Sequence, residues 1–220
     1  MGAGAAADEV WAVVVAAGSG SRFGGSKQYE HLHGRTVLEW SVATARAVCA
    51  GVVVVLPAGD VGRWAAEGTV VVAGGDTRSA SVRAGLAAVP AGAEIIVVHD
   101  AARPLATPAL WDAVVAAVRD GADGAICAVP VTDTVKRVDG AEVVETIDRA
   151  QLVAVQTPQA FRAAALRAAH ARGEDASDDG ALVERAGGRV VIVPGSTDNL
   201  KITHAHDLLV AAALASPVAP

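Results

Sequence analysis

Residues 10–28 read VWAVVVAAGSGSRFGGSKQ, an apolar run that breaks into a loop carrying four glycines and two cations. The run at 10–16 does not alternate with polar residues, so it reads as a strand covered on both faces. Similar short runs recur at 51–56, 69–73, 95–99, 124–129, 153–156 and 189–193. Ala-rich stretches between them predict helices at 36–48, 78–89, 108–120, 161–171, 178–186 and 205–215. That alternation predicts an α/β protein with a mostly parallel sheet and helices on both faces.

The composition supports a packed core. At 220 residues and 22.0 kDa the chain is 52% hydrophobic, and a chain of this size buries roughly 70% of its unfolded surface. With only 3% aromatics, the core must be built from Val, Ala and Leu. Net charge is −6 with no basic cluster, which argues against a nucleic-acid partner, and the few aromatics leave no stacking platform for single strands. The opening MGAGAAADEV carries acids where an export signal carries cations, and the apolar run at 208–215 is too short to span a bilayer. Cys49 and Cys127 lie in apolar stretches away from any metal-ligand spacing, so both are expected to be reduced core residues of a cytoplasmic protein. Of 18 basic residues only Lys27, Lys136 and Lys201 are lysines; in so Arg-biased a chain each lysine is a candidate for work that needs a compact ammonium.

From 133 to 149 eight of seventeen residues are charged, and Asp139-Gly140 separates two β-prone runs. Asp-Gly there predicts a tight hairpin. A hairpin so polar cannot enter the core, and two strands alone are marginal in water. It either projects onto a second subunit or folds back along an edge of its own domain.

Three segments carry candidate chemistry. In the loop at 16–28, Gly18, Gly20, Gly24 and Gly25 free backbone N–H groups to face an anion while Arg22 and Lys27 add charge. It is neither a dinucleotide fingerprint, since Phe23 stands at the third glycine and Leu56-Pro57 ends the second strand without an acid, nor a P-loop, since Ser26-Lys27 inverts the required order. The run at 95–100 ends in His99-Asp100, at the strand end where open α/β sheets bind ligands. A carboxylate there suits one ligand of Mg²⁺ whose others are phosphate oxygens and water; a helix cap or an ion pair with Arg103 is the structural alternative. Within GSTDNLKIT, residues 195–203, Lys201 leads a short strand start and Thr203 is placed to cap the last helix. Separate segments thus bring cations and one carboxylate toward a phosphoryl or nucleotidyl transfer site, where positioning and charge stabilisation do the work. The histidines have no HExxH spacing and are expected at the surface or as caps, and Ser19, Ser21 and Ser26 lack the nucleophile-elbow context.

In order along the chain, AAGSGSRFGGSKQ, GGDTRSASVRAGL, HDAARP, PVTDTVKR, ETIDR, QTPQAF and DNLKIT together resemble the 2-C-methyl-D-erythritol 4-phosphate cytidylyltransferase family. The resemblance implies a Rossmann-like fold of the nucleotide-diphospho-sugar transferase kind, with a single domain over 8–216 and an arm at 131–152. It implies a reaction of CTP with methylerythritol phosphate that yields the CDP-alcohol and pyrophosphate in non-mevalonate isoprenoid synthesis, with Mg²⁺ or another divalent cation. Carried over by matching residues, Arg22, Lys27, Arg149 and Lys201 would be catalytic, and Ala16, Ala17, Gly18, Gly20, Gly75, Asp76 and Ser81 would frame CTP. Asp100, Arg103, Thr134, Arg149, Thr157 and Lys201 would hold the polyol phosphate, with Asp100 also the metal ligand. The resemblance also implies a homodimer in which the arm delivers Arg149 to the partner. A ribitol 5-phosphate cytidylyltransferase is the nearest rival. A noncatalytic nucleotide-binding regulator is disfavoured by the intact cations, and a dehydrogenase by the failed fingerprint.

Overall fold

Strand β1 (Val10–Val15) pairs in parallel on both sides, with β4 (Gly51–Leu56) and β6 (Ile95–Asp100), so that Val13 faces both Val53 and Val98. This structure is a computed structural model, and it describes residues 10–18 and 20–215; the expected domain limits at 8 and 216, and Ser19, lie outside them. Beyond β4 stands the edge strand β5 (Thr69–Ala73). Beyond β6 come β10 (Val153–Arg162), antiparallel to both its neighbours, then β7 (Gly124–Pro130) and β11 (Val190–Pro194), the last two parallel to each other. The seven-stranded order is β11-β7-β10-β6-β1-β4-β5.

The unbroken apolar runs follow from cover on both faces. Alternate residues of a strand point to opposite sides: Ala12 and Val14 join the cluster under α1 (Val37–Val48) and α3 (Pro108–Arg119), while Val13 joins the one under α2 (Arg78–Ala88), α4 (Ala163–His170) and α5 (Asp179–Arg185). Helix ends are set by local chemistry. Thr36 Oγ1 accepts from Glu39 N at 3.2 Å and Glu39 Oε2 accepts from Thr36 N at 2.6 Å, a complete capping box that starts α1. Thr77 and Asp178 cap α2 and α5, and Pro108 occupies the first turn of α3.

Two local expectations change. The helix expected from 161 begins at Ala163 instead, because Phe161 belongs to β10. There Phe161 pairs with Ile96 and Gly124, and a Cβ on Gly124 would stand 2.6 Å from its ring. The register slips between Gln156 and Gln159, so the polar QTPQ stretch interrupts the strand's apolar signature without ending the strand. A miniature hairpin of β2 (His31–Leu32) and β3 (Arg35–Thr36) also appears, turning on His33 and Gly34 with φ of 48° and 79°. Two-residue strands are too short to show a period.

The charged segment forms an antiparallel pair, β8 (Val135–Asp139) and β9 (Glu142–Ile147), that joins no other strand among the described residues and is exposed along almost its whole length. The tight hairpin forms, but its turn is Gly140-Ala141, one residue later than expected, because Asp139 is still in β8 and pairs with Glu142. Helix α6 (Ala205–Ala215) closes the described chain, with Ala211 buried in a small cluster with Leu32, Val37 and Ile202. Residues 201–203 form no strand, and Thr203 does not cap α6: the Asp207 carboxylate accepts from Thr203 N and His204 N, both at 2.7 Å.

Candidate active site

Parallel pairing sets Val15, the last residue of β1, beside Asp100, the last of β6, so the glycine loop and the carboxylate leave the sheet at the same edge. The β5–α2 turn and the chain before α6 fold over that edge. They enclose a cleft of about 570 Å³ lined by Ala16, Ala17, Gly18, Gly20, Arg22, Lys27, Gly75, Asp76, Ser81, Asp100 and Lys201. These expected residues, drawn from four segments of the chain, share one cavity.

Each wall has a local cause. At Gly20 φ is +65° and a Cβ would come within 1.9 Å of Gly25 O, so only glycine lets the loop fold back, where Gly24 N donates to Gly20 O at 2.9 Å. A short 3-10 turn, Lys27–Tyr29, then directs Lys27 across the cleft, where Nζ donates to Ile202 O at 2.6 Å. Opposite, Gly75 N donates to Ser81 Oγ and Ser81 Oγ contacts Gly75 O, both at 3.2 Å. That pins the turn to the first coils of α2.

The cleft gathers positive charge in a chain that is acidic overall. Burial, then Lys201 and Arg22, lower the pKa of Lys27. Asp100 sits among the cations: Lys201 Nζ donates to Oδ2 at 2.5 Å and Arg78 Nε to Oδ1 at 3.1 Å. Burial alone would raise its pKa, but Arg78 and Lys201 outweigh that and hold the carboxyl well below the usual range. Its structural alternative, a pair with Arg103, does not form; the carboxylate's partners are Arg78 and Lys201.

Four expected polyol-site residues lie outside the lining of this cleft. Thr157 is buried behind Asp100, accepting from Asp100 N at 3.0 Å and standing 3.2 Å from His99 Nδ1. Arg103 is a strut, donating to Asn199 O at 2.6 Å. Thr134 and Arg149 are exposed at the base of the arm, where Arg149 donates to Thr132 O. The surface role expected of the histidines fails twice. His99 is fully buried, tilted against Trp111 with ring centroids 4.9 Å apart, and burial pushes its pKa down to about 4. His170 is buried too, 2.9 Å from Asp179 Oδ1.

Arg78 and Asp179 were not expected from the sequence. The available signal was a cation in the first turn of α2, where the helix dipole opposes it.

Among the described residues no group of three His, Cys, Asp or Glu side chains could hold a metal ion. Mg²⁺ in phosphate sites takes one or two carboxylates and fills its shell with phosphate oxygens and water, and the donor set here, Asp100 facing a cationic cleft, fits that mode alone.

Residues 10–216 match the family model described as IspD: 2-C-methyl-D-erythritol 4-phosphate cytidylyltransferase. A relative from Streptomyces avermitilis, named 2-C-methyl-D-erythritol 4-phosphate cytidylyltransferase, is 43% identical over 225 residues, covering 92% of this chain and 90% of the relative. The bifunctional enzyme IspD/IspF of Clavibacter michiganensis subsp. michiganensis is 47% identical over 212 residues, covering 89% of this chain. The match takes in 52% of that relative, so the chain spans about half the length of such bifunctional proteins. Among solved structures, the 2-C-methyl-D-erythritol 4-phosphate cytidylyltransferase of Thermus thermophilus superposes with a TM-score of 0.80 at 37% identity, covering 92% of this chain and 97% of that one.

Proposed function

Because this chain belongs to the 2-C-methyl-D-erythritol 4-phosphate cytidylyltransferase family, we propose that it transfers the cytidylyl group of CTP to 2-C-methyl-D-erythritol 4-phosphate, releasing pyrophosphate, within isoprenoid synthesis. The observation that carries this reading is the convergence of Arg22, Lys27 and Lys201 on one cleft with Asp100 at the carboxyl edge of the sheet. Such a site suits a triphosphate and offers no covalent nucleophile.

An oxygen of the polyol phosphate attacks the α-phosphorus, a new P–O bond forms, and the bond from the α-phosphorus to the bridging oxygen breaks, leaving pyrophosphate. Arg22 and Lys27 stabilise negative charge as it builds on the triphosphate, and Lys201, oriented by Asp100, faces the incoming phosphate. Gly75, Asp76 and Ser81 present polar groups along one wall, suited to the edge of a pyrimidine. Asp100 would hold Mg²⁺, which when bound screens phosphate charge.

The second subunit is part of the proposal. The arm exposes Val138, Val143 and Val144, each more than half accessible, and an apolar surface of that kind on a two-stranded pair calls for a covering partner. Arg149 lies outside the cleft of its own chain, consistent with delivery to the partner's. We assign the protein to the cytoplasm: Cys49 and Cys127 are buried free thiols, and among the described residues no helix is long and apolar enough to cross a membrane.

The test is pyrophosphate release from CTP with a panel of polyol phosphates. Turnover is expected with methylerythritol phosphate; turnover with ribitol 5-phosphate alone would overturn the substrate assignment.

A further inference from the structure

Beside Asp100 a line of charge that the transfer scheme leaves unused runs from Arg78, in the lining of the cleft, down into the core. Arg78 Nε donates to Asp100 Oδ1, Arg78 Nη1 donates to Asp179 Oδ2 at 2.8 Å, and the other oxygen of Asp179 meets His170 Nε2 at 2.9 Å. Asp179 is wholly buried and His170 nearly so. Apolar side chains of similar volume would stabilise a core at least as well as such a chain of ions, so stability alone does not account for it. A guanidinium in the first turn of α2 also opposes the helix dipole, and two carboxylates, one on each side, hold it there.

The consequence falls on Asp100. Its two oxygens are grasped from different directions, Oδ1 by Arg78 and Oδ2 by Lys201, which fixes the rotation of the carboxylate about its own bond. We propose that Arg78, anchored by Asp179 and His170, is a positioning residue that sets the plane of the Asp100 carboxylate so that one oxygen faces Lys201 and the cleft. The inference rests on the cytidylyltransferase reading of that cleft. Without the Asp179 charge, Arg78 keeps a single carboxylate partner; its Nη2 is already buried with no acceptor, and the guanidinium is free to draw Asp100 toward α2 and away from Lys201.

The test uses the full chain carrying Asp179→Asn, nearly isosteric with the native residue. Calorimetric titration with CTP counts intact sites, because none of the groups assigned to the base and triphosphate bonds Asp179; of the cleft lining only Arg78 does. Stoichiometry and Kd are expected to stay at wild-type values while kcat per titrated site falls ~10–10²-fold, the scale of a misplaced reacting group. A bolt that merely ties α5 to α2 would lower the melting temperature or the number of sites and leave kcat per site unchanged; that result overturns the proposal. In an Arg78→Gln background, Asp179→Asn should add no further loss, since Asp179 acts through Arg78; multiplied losses overturn it as well. If Asp179→Asn does not fold, Arg78→Lys decides, because one ammonium cannot bridge both carboxylates and wild-type kcat per site would contradict the role. A crystal structure of the variant gives a readout apart from turnover: Asp100 in its original plane, still on Lys201, refutes the positioning claim. A wild-type protein that binds CTP but never transfers it refutes the functional reading instead, and the plane of Asp100 in the variant then decides the inference alone.

Discussion

Lys27→Ala separates catalysis from folding. The Lys27 ammonium is half-buried, donates to Ile202 O at 2.6 Å, and has its pKa lowered by burial and by Lys201 and Arg22. Removing it forfeits one charge-assisted hydrogen bond, about 1.5–3 kcal/mol, and relieves both the desolvation and the repulsion. These terms oppose each other, so stability should move by no more than about 1 kcal/mol, a shift of roughly 2–4 °C for a chain of this size. Turnover has no such compensation. A donor aimed at charge that develops only in the transition state is worth ~10²–10³ in kcat, about 3–4 kcal/mol. The assay is pyrophosphate release at saturating CTP and methylerythritol phosphate, run beside a thermal melt. Lys27→Arg should recover part of the loss, since a planar guanidinium presents its charge differently from a point ammonium. Near-normal kcat in the alanine variant, or a melting temperature that falls in step with activity, would refute the reasoning.

The same ammonium predicts a pH dependence. With its folded pKa below the ordinary 10.5, the folded protein binds fewer protons than the unfolded chain between those two values, so stability contributed by Lys27 rises with pH across that window while its catalytic charge is lost. An alkaline limb in kcat/KM should therefore appear below pH 10.5 and move upward in Lys27→Arg; an identical limb in both excludes Lys27 as its source. Cytosine should be favoured over uracil by ~10²-fold or more, because a site built for the amino donor is left with a mismatched acceptor when UTP presents O4; equal kcat/KM for the two nucleotides counts against the pyrimidine wall. Gly124→Ala should destabilise the fold by ~1–3 kcal/mol through the clash of its Cβ, 2.6 Å from the Phe161 ring, and an unchanged urea midpoint would show that β10 yields more readily than its packing indicates. Mixing Arg149→Ala with Lys27→Ala subunits should restore activity toward roughly a quarter of wild type: with random exchange about half the dimers are mixed, each with one intact site of two. No recovery after exchange is verified by mass would place Arg149 in its own subunit.

The architecture was legible wherever one physical signal dominated. Continuous Val-rich runs identified β1, β4 and β6 because burial on both faces removes every polar alternate, and the Ala-rich stretches between the strands placed the ends of α1, α2 and α3 to within one residue. Legibility failed at β10, where Gln156, Thr157 and Gln159 are all buried polar residues most of whose partners lie far along the chain. Gln156 Nε2 reaches Ser196 O at 2.8 Å and Gln159 Nε2 reaches Asp178 Oδ2 at 3.0 Å. The expected strand therefore stops at Gln156, since the single local bond, Gln159 Nε2 to Gln156 O at 3.3 Å, leaves most of these polar groups unmet. Tertiary contacts supply the rest and make their burial tolerable.

The same distinction divides the site. Arg22, Lys27, Asp100 and Lys201 stood out because each ends a strand, sits in a glycine loop or is a rare lysine, all properties of short stretches. Arg78 looked ordinary, one arginine among fifteen, although it joins two carboxylates, one 22 and one 101 residues away in sequence. Thr157, which the resemblance places at the substrate, is buried, where its hydroxyl accepts from Asp100 N and stands 3.2 Å from the ring of His99. Residues that would touch a ligand are set by the local chain, because loops at strand ends must carry their own chemistry. Residues that aim those groups are set by what packs beneath, so a conspicuous carboxylate such as Asp100 is best read together with the buried charge that a neutral core would not retain.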